Sequence, residues 1–598
     1  MDNAFFTLLR YNVDSLLNFN YNILIKNTRS ILMDKIVQTY MEGFLKQQQI
    51  TEKDMSKQYE IFSSYCVIAQ QYTEIFDLND VITGAGGDCG IDSMAILANG
   101  TLVTSKEEID DLITINKALL DISLIFIQTK TSSNFSGGEI GTFGSGVLDF
   151  FSDIPQFVRN NFIDEKSKLV EYIFSKAIYI KEKPSCYLYY VTTGRWVGDQ
   201  NCSARINIAK NDLEEMNLFS KVEFFPVDAN LIQKYYRNTI DVVETEIEFP
   251  QKILLPDIKT INQSYLGYIN YKEYLKLITG ENGEIRKSVF YDNVRDYQGE
   301  NDVNLEIAET VAKTSEKFIL FNNGVTIICK KLNNMRTKST LTDYQIVNGC
   351  QTSHVLYYNK DKINNELYIP VKIIETEDEE TVNQVIKATN RQNQVSDEQL
   401  IALTEFHRKL ESFYITFSGN QKLFYERRSK QYNYITDIEK VRIVTISTQI
   451  KAAASMFFDR PHLASRYYGR LLKSVDGIFN QEHKLLPYYT CAYILYKLEY
   501  AFRNKLINAQ YRKFRYHLLM MLKYDFAEGK VPELNANKMD ALCDKILICI
   551  NDNNLFISEI QKLMDIIQKY VKDINNTEIT KSVTLVDQLK KELKVKDK

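Results

Sequence analysis

Hydrophobic and polar positions change their period several times along this chain, and each change marks an element. Residues 1–55 repeat apolar side chains at helical spacing, as in Leu8, Leu9, Val13, Leu16 and Leu17, which predicts helices at a domain edge. The run EIFSSYCVIAQQYTEIF, residues 60–76, predicts a strongly apolar helix. Next, IDSMAIL and TLVTS flank Asn99-Gly100, the pairing expected of a β-hairpin. A helical pattern over 106–120 then leads into the strand ISLIFIQTKT. The glycine-rich stretch SGGEIGTFGSG, residues 136–146, lacks the GK[ST] ending of a phosphate-binding loop and predicts a flexible connection. Two further strands, CYLYYVTTG and KVEFFPVD, alternate with helices, so a small α/β domain closes near residue 240.

A second α/β or α+β region is expected from about 241 to 400, built from FILFNNGVTIIC, YQIVNGCQTSHVL and YIPVKIIET. Thr376 with Glu379, and Ser396 with Gln399, have capping-box spacing, which predicts helices starting near 377 and 397. Beyond 401 the pattern is helical, with TCAYILYKLEYAF and YHLLMMLKYDF as buried helices and a basic amphipathic tail. The chain therefore reads as an α/β multi-domain protein. Its pieces are N-terminal helices (1–55), an α/β domain (56–240), a central α/β or α+β region (241–400) and a helical C-terminal region (401–598).

Composition narrows the function. Hydrophobic content of 44% and charged content of 25% over 598 residues are those of a globular protein with several cores. No run of eighteen uncharged apolar residues and no signal-peptide pattern is visible, so the expectation is cytoplasmic, without a membrane. Nine cysteines lie singly, which suits reduced, buried thiols. A net charge of −4 confines any nucleic-acid surface to a local basic patch. All five histidines, 354, 407, 462, 483 and 517, lie beyond residue 350, so chemistry in the N-terminal half must do without histidine.

One constellation there carries chemistry. Strand alternation puts Gln128 and Lys130 on one face, with Phe126 further back, while Ile127 and Thr129 point the other way. The hairpin that begins at Asp92 can bring its carboxylate beside the Gln128 amide. One carboxylate, one amide oxygen and water suit a hard divalent cation, and a lysine there can neutralise charge building on a phosphate. The pattern GDCGID followed by an apolar strand ending QTK resembles the PD-(D/E)xK nucleases of the Mrr-like restriction endonuclease group. The resemblance implies a restriction-endonuclease-like α/β domain, with Asp92 as the metal-binding aspartate, Gln128 and Lys130 as the (D/E/Q)xK pair, and Glu60 as the helix glutamate, with Glu74 second. Asp88 is then a turn residue. The gap from Asp92 to Gln128 is long for that group, which implies an inserted helix at 106–120, and a glutamine in place of the second acid weakens the metal site.

A second constellation is polar and turn-rich. Asn322, Asn323 and Gly324 precede VTIIC, while Asn348 and Gly349 precede a helix beginning near Gln351. On spacing alone these are ordinary Asn-Gly turns. Arg391 lies in the polar connection ATNRQNQV, and FYERRSKQYNY interleaves Arg427 and Arg428 with aromatic residues, a pattern that can hold unpaired bases or simply be a solvated basic turn. Together NVRDYQG, FNNGVTI, IVNGCQTS, KATNRQNQVSDEQL and FYERRSKQY are similar to the AIPR family, named for abortive infection and phage resistance. That resemblance implies antiphage defence but no particular chemistry.

The combined expectation is an abortive-infection effector: a metal-dependent nuclease using Mg²⁺ or Mn²⁺ held by Asp92, Gln128 and Glu60, with Lys130 as the catalytic lysine. Asn323, Asn348, Gln351, Arg391, Arg427 and Arg428 are its candidate ligand-binding residues. DNA is favoured over RNA as substrate by resemblance to restriction enzymes. The rivals are a nucleic-acid or trigger sensor with an inactive nuclease fold, and a restriction component acting with partner proteins. A homo-oligomer and separate defence-system partners stay open.

Overall fold

The structure is a computed structural model. It describes residues 33–593 except 85, 117–118, 281–282, 284, 287–288, 291–301, 364–366, 390–404, 428–430, 433–434, 436 and 528–529. The helices expected over 1–32, the motif NVRDYQG, the Ser396 capping box, Arg391 and Arg428 lie outside the described residues. The chain divides into two units. One holds the residues up to 239, and the other takes 73–75, 110–118 and everything from 240 onward.

In the first unit, α1 (Lys35–Gln47) and α2 (Met55–Ile68) precede β1 (Ser93–Ala98) and β2 (Thr101–Leu102). Asn99 and Gly100 both have positive φ, 50° and 77°, as a two-residue hairpin turn requires. Then follow α3 (Lys106–Asn116), β3 (Ile122–Lys130), α4 (Gly137–Phe150), α5 (Asn161–Ser175), β4 (Ser185–Thr192), α6 (Gln200–Glu215), β5 (Lys221–Val227) and α7 (Ala229–Ile240). The sheet order is β2-β1-β3-β4-β5, antiparallel from β2 to β3 and parallel from β3 to β5.

Two expectations fail here for physical reasons. Helix α2 starts before Glu60, because the Asp54 side chain accepts from Lys57 N, and it ends at Ile68 rather than running on to 76. Just past its end the Gln70 amide bonds to the carbonyl oxygens of Cys66 and Tyr235. The glycine-rich stretch 136–146 is no flexible loop but most of α4, capped by Ser136. Two of its glycines serve close packing. A Cβ at Gly144 would stand 2.6 Å from the Ala209 Cβ on α6, and one at Gly146 would stand 1.8 Å from the Cys89 carbonyl oxygen. Each glycine costs about 1 kcal/mol of helix propensity, and the contacts they permit explain why they are there.

The second unit holds a six-stranded sheet of β6 (Glu244–Glu248), β7 (Gln251–Leu254), β8 (Gln263–Asn270), β9 (Val325–Met335), β10 (Lys338–Asn348) and β11 (Tyr368–Glu375), ordered β6-β10-β9-β11-β8-β7. Helices α8 (Tyr271–Ile278), α9 (Asp302–Lys313), α10 (Cys350–Tyr358) and α11 (Glu379–Thr389) belong with it. Helix α11 starts at 379 and not at 377. Asp378, not Thr376, takes the capping role by accepting from Thr381 N at 2.7 Å, while the Thr376 hydroxyl accepts from Asp378 N.

From α12 (Glu405–Ile415) onward the chain is helical around one large apolar core, as the pattern predicts. The exception is a two-stranded parallel ladder of β12 (Phe424–Glu426) with β13 (Ile443–Thr445). No helix among the described residues is long and apolar enough to cross a membrane.

Candidate active site

The first candidate site grows out of the turn GGDCGID. Gly87, Cys89 and Gly90 all take positive φ, and the Asp88 carboxylate accepts from Gly90 N at 2.9 Å, so the chain reverses tightly into β1. Gly90 has a second duty. A Cβ there would stand 3.3 Å from the Gln128 amide nitrogen. The turn delivers Asp92 to the β1–β3 ladder, where Ser93 pairs with Ile127 and Asp92 N donates to the Ile127 carbonyl. The Asp92 Oδ2 then accepts from both Thr129 N (2.6 Å) and the Thr129 hydroxyl (2.9 Å). Oδ1 accepts no hydrogen bond among the described residues.

Helix α2 lies over this ladder along a stripe of residues four apart. Ser56 meets Thr131 at 3.4 Å, and Ser64 meets Ser93 at 2.5 Å. Glu60 lies between them on the same stripe, over the strand ends that carry Asp92 and Thr129. It is 5% exposed; its Oε2 is paired with Lys57 Nζ at 2.6 Å, and its Oε1 is buried without a hydrogen-bond partner. Burial, and then the charges of Asp92 and Asp88, push its carboxyl up to about 7 against the opposing pull of Lys57. Burial also raises Asp92, countered by the Thr129 bonds and by the Lys130 charge. Glu60, Asp88, Asp92, Lys57 and Lys130 thus form one electrostatically connected group.

Gln128 takes the face that strand alternation gives it, but not the expected contact with the Asp92 carboxylate. It shares a face with Phe126, which packs edge-on against Phe150 of α4, and its amide lies under the Gly90 turn. The Asp92 carboxylate takes its hydrogen bonds from Thr129, a residue of the opposite face, and none from Gln128. The reason is local: Thr129 offers an N–H and a hydroxyl to the same oxygen. Gln128 is 4% exposed, and its Oε1 is buried with no hydrogen-bond partner. Beside it in the sheet stands Tyr190, whose hydroxyl donates to Glu139 at 2.9 Å and feels the Asp92 charge.

Sequence reasoning missed Thr129, Lys57 and the Tyr190–Glu139 pair. Of these, Lys57 was findable, three residues before Glu60 on a helix. Among the described residues, no three His, Cys, Asp or Glu side chains gather closely enough to hold a metal. The oxygens of Asp92, Glu60 and Gln128 are hard donors, which by chemistry suit Mg²⁺ or Mn²⁺ with water completing the shell.

In the second unit the Asn-Gly turns do meet. Gly324 and Gly349 have φ of 81° and 104°, and a Cβ at Gly349 would stand 2.7 Å from a Val325 methyl. Asn322 accepts from Gly324 N and donates to Thr352, which ties the first turn to α10. Asn348 pairs with Thr326 across the ladder, and Gln351 in the first turn of α10 accepts from Asn304 at 2.9 Å. Asn323 is exposed. These amides bond mostly to one another and to the backbone.

Arg427 corrects the basic-turn expectation. Its guanidinium is buried against Glu411, with Nε 2.9 Å from Oε2, and Gln431 bonds both Glu411 and Arg427 N. Tyr425 is buried too, its hydroxyl 2.5 Å from His407 Nδ1. The position is an internal charge pair because α12 supplies an acid across the short strand.

The first unit is therefore an α/β unit with a buried Glu60 and a half-buried Asp92 at a strand end, and the second a sheet-and-helix unit with amide-bonded turns. The AIPR protein family matches residues 290–592, and the chain belongs to that family. Membership points to antiphage defence of the abortive-infection type. No curated protein and no solved structure matches the chain.

Proposed function

We propose that this AIPR protein is a metal-dependent nuclease effector, with the phosphodiesterase site in its first unit and the AIPR region in control. One observation carries the reading: Glu60 and Asp92 converge at the end of the strand that bears Gln128 and Lys130, and each of Glu60 and Gln128 keeps a buried oxygen without a partner. A native protein leaves buried oxygens unpaired only rarely, and a catalytic role is one reason it does so. The order α2, β1, β3, α4, β4, with an antiparallel and then a parallel pairing at β3, supports descent from the PD-(D/E)xK nucleases.

Bound Mg²⁺ or Mn²⁺ would supply Lewis-acid polarisation of a phosphoryl oxygen and of the attacking water. Asp92, fixed through Oδ2 by Thr129, would hold the cation through its other oxygen. Gln128 Oε1, from the α4 face of β3, and Glu60 Oε1, from α2, would be its further oxygen donors at the strand end. Lys130 neutralises charge on the phosphate as the bond breaks. DNA is the preferred substrate class on the resemblance to restriction enzymes. Because an unrestrained nuclease harms its host, a fused controlling region is the expected partner of such a site.

A second reading has its own observation. The absence of a three-acid cluster among the described residues, with a glutamine where a second strand carboxylate would stand, favours a nucleic-acid sensor that has kept the fold and lost the reaction. The test is cleavage of plasmid and of RNA by the full chain with Mg²⁺, Mn²⁺ or EDTA, together with Asp92→Ala. Metal-dependent cleavage lost in the variant supports the enzyme. Binding without cleavage in every condition selects the sensor.

A further inference from the structure

The site already contains a cation of its own. Lys57 sits one turn before Glu60 on α2 and places its ammonium 2.6 Å from Glu60 Oε2. It is also drawn by the charges of Asp92 and Asp88. The same two aspartates act on Glu60, so three carboxylates share the field of this one ammonium. The two ends of the ion pair differ: the Lys57 side chain is 45% exposed, while that of Glu60 is 7% exposed. Glu60 is fixed in place and Lys57 is the group able to leave. An oxygen of Glu60 remains buried and unpaired beside the pair, so the lysine answers only half of what this carboxylate can bind.

We propose that Lys57 is a tethered competitor for the divalent cation, holding Glu60 in the metal-free protein and being displaced from it when metal enters. The inference rests on the metal-dependent reading above. Two positive charges cannot share one carboxylate at contact distance without mutual repulsion. A lysine anchored on the same helix is always present at high local concentration, so it lowers the apparent metal affinity. Its exposed stem then lets the displaced ammonium swing into solvent, or toward the phosphate that follows the metal. Such a device keeps an effector nuclease unloaded at low free metal. Lys130, at the end of β3, has no comparable contact with Glu60 and does not substitute for it.

The experiment is calorimetric titration of the full chain with Mn²⁺, without substrate, for wild type, Lys57→Met, Lys57→Gln and Lys57→Arg. Removing one unit charge beside a divalent ion at a half-exposed site is expected to tighten Mn²⁺ binding by about tenfold. Lys57→Met and Lys57→Gln should show that gain, and Lys57→Arg should keep the wild-type affinity. Asp92→Asn should lose binding in every background. Unchanged or weaker Mn²⁺ binding in both neutral variants, with Asp92→Asn still impaired, overturns the competitor role and leaves the metal site standing. Absence of Mn²⁺ binding in wild type and in all Lys57 variants overturns the metal site itself.

Discussion

The end of β3 and the Asn-Gly turns beside α10 treat their polar side chains differently. At the end of β3 the first unit keeps oxygens of Glu60 and Gln128 unpaired and lets three carboxylates share a field with two lysines. Around α10 the second unit pairs its amides: Asn322 with Thr352 and Gly324 N, Asn304 with Gln351. Unpaired buried oxygen is costly, about 1–3 kcal/mol per group, and a ligand that answers it recovers that cost. Paired amides and positive-φ glycines hold a sheet end together. Under the proposed function the difference puts chemistry in the first region and architecture in the turns of the second, although the family match covers the second and not the first.

The largest effect should come from Asp92→Ala. If the first region is the reactive one, cleavage by the full chain should fall at least about a thousandfold, the order expected when a principal charge-stabilising group is removed. Far-ultraviolet circular dichroism should show the fold retained, since the Asp92 side chain is bonded only to Thr129 and its backbone bonds are kept in the variant. Wild-type cleavage rates in this variant would erase the distinction between the two regions.

Arg427→Ala tests the same contrast from the other side. Breaking a buried pair leaves Glu411 partly uncompensated and should cost about 3–5 kcal/mol in urea denaturation. The salt dependence of nucleic-acid binding should stay as in wild type, because the guanidinium faces Glu411 and not solvent. A flatter salt dependence with unchanged stability would return Arg427 to the surface role that its sequence neighbours suggest.

Gly349→Ala should be milder. The backbone φ of 104° is strained for any L side chain, and the added Cβ would press on Val325. A loss of about 2–3 kcal/mol is expected in the same denaturation assay. Metal binding in the first unit should not change. A Gly349→Ala protein with full stability would show that this turn relaxes easily, and its polar groups would then deserve a ligand-binding interpretation after all.

These contrasts also show what the sequence could and could not display. The hairpin at Asn99-Gly100, the strand ending Gln128-Thr129-Lys130 and the helical C-terminal region were legible because their signals are local: turn dipeptides, alternation and helical spacing. The region 136–146 was not. Gly144 and Gly146 are there for Ala209 and the Cys89 carbonyl, contacts that no window of sequence contains. Arg427 misled for the same reason, since Glu411 lies sixteen residues earlier on another element. At the candidate site Asp92, Gln128 and Lys130 could be picked out by pattern, but Thr129 as the partner of the Asp92 carboxylate could not. Strand alternation fixes where a side chain starts, and the Thr129 hydroxyl decides where the Asp92 carboxylate ends.

Gln128→Glu gives the smallest and sharpest test, because it acts on the Gln128 amide itself. The residue is almost fully buried, and its Oε1 has no hydrogen-bond partner. A glutamate of the same shape adds a negative charge in a place already crowded by Asp92, so without metal it should destabilise the fold by about 1–2 kcal/mol through desolvation and repulsion. If a divalent cation sits within reach of both oxygens, that penalty reverses on loading, since the site gains a carboxylate ligand. Thermal melts of the full chain should therefore show a lowered midpoint in EDTA and a larger Mn²⁺-induced rise for the variant than for wild type. An equal drop with and without Mn²⁺ would mean that the Gln128 side chain faces only α4 and the Gly90 turn. The amide would then be a packing group, and the first unit would come to resemble the second: polar residues serving architecture, in a fold that binds nucleic acid without cutting it.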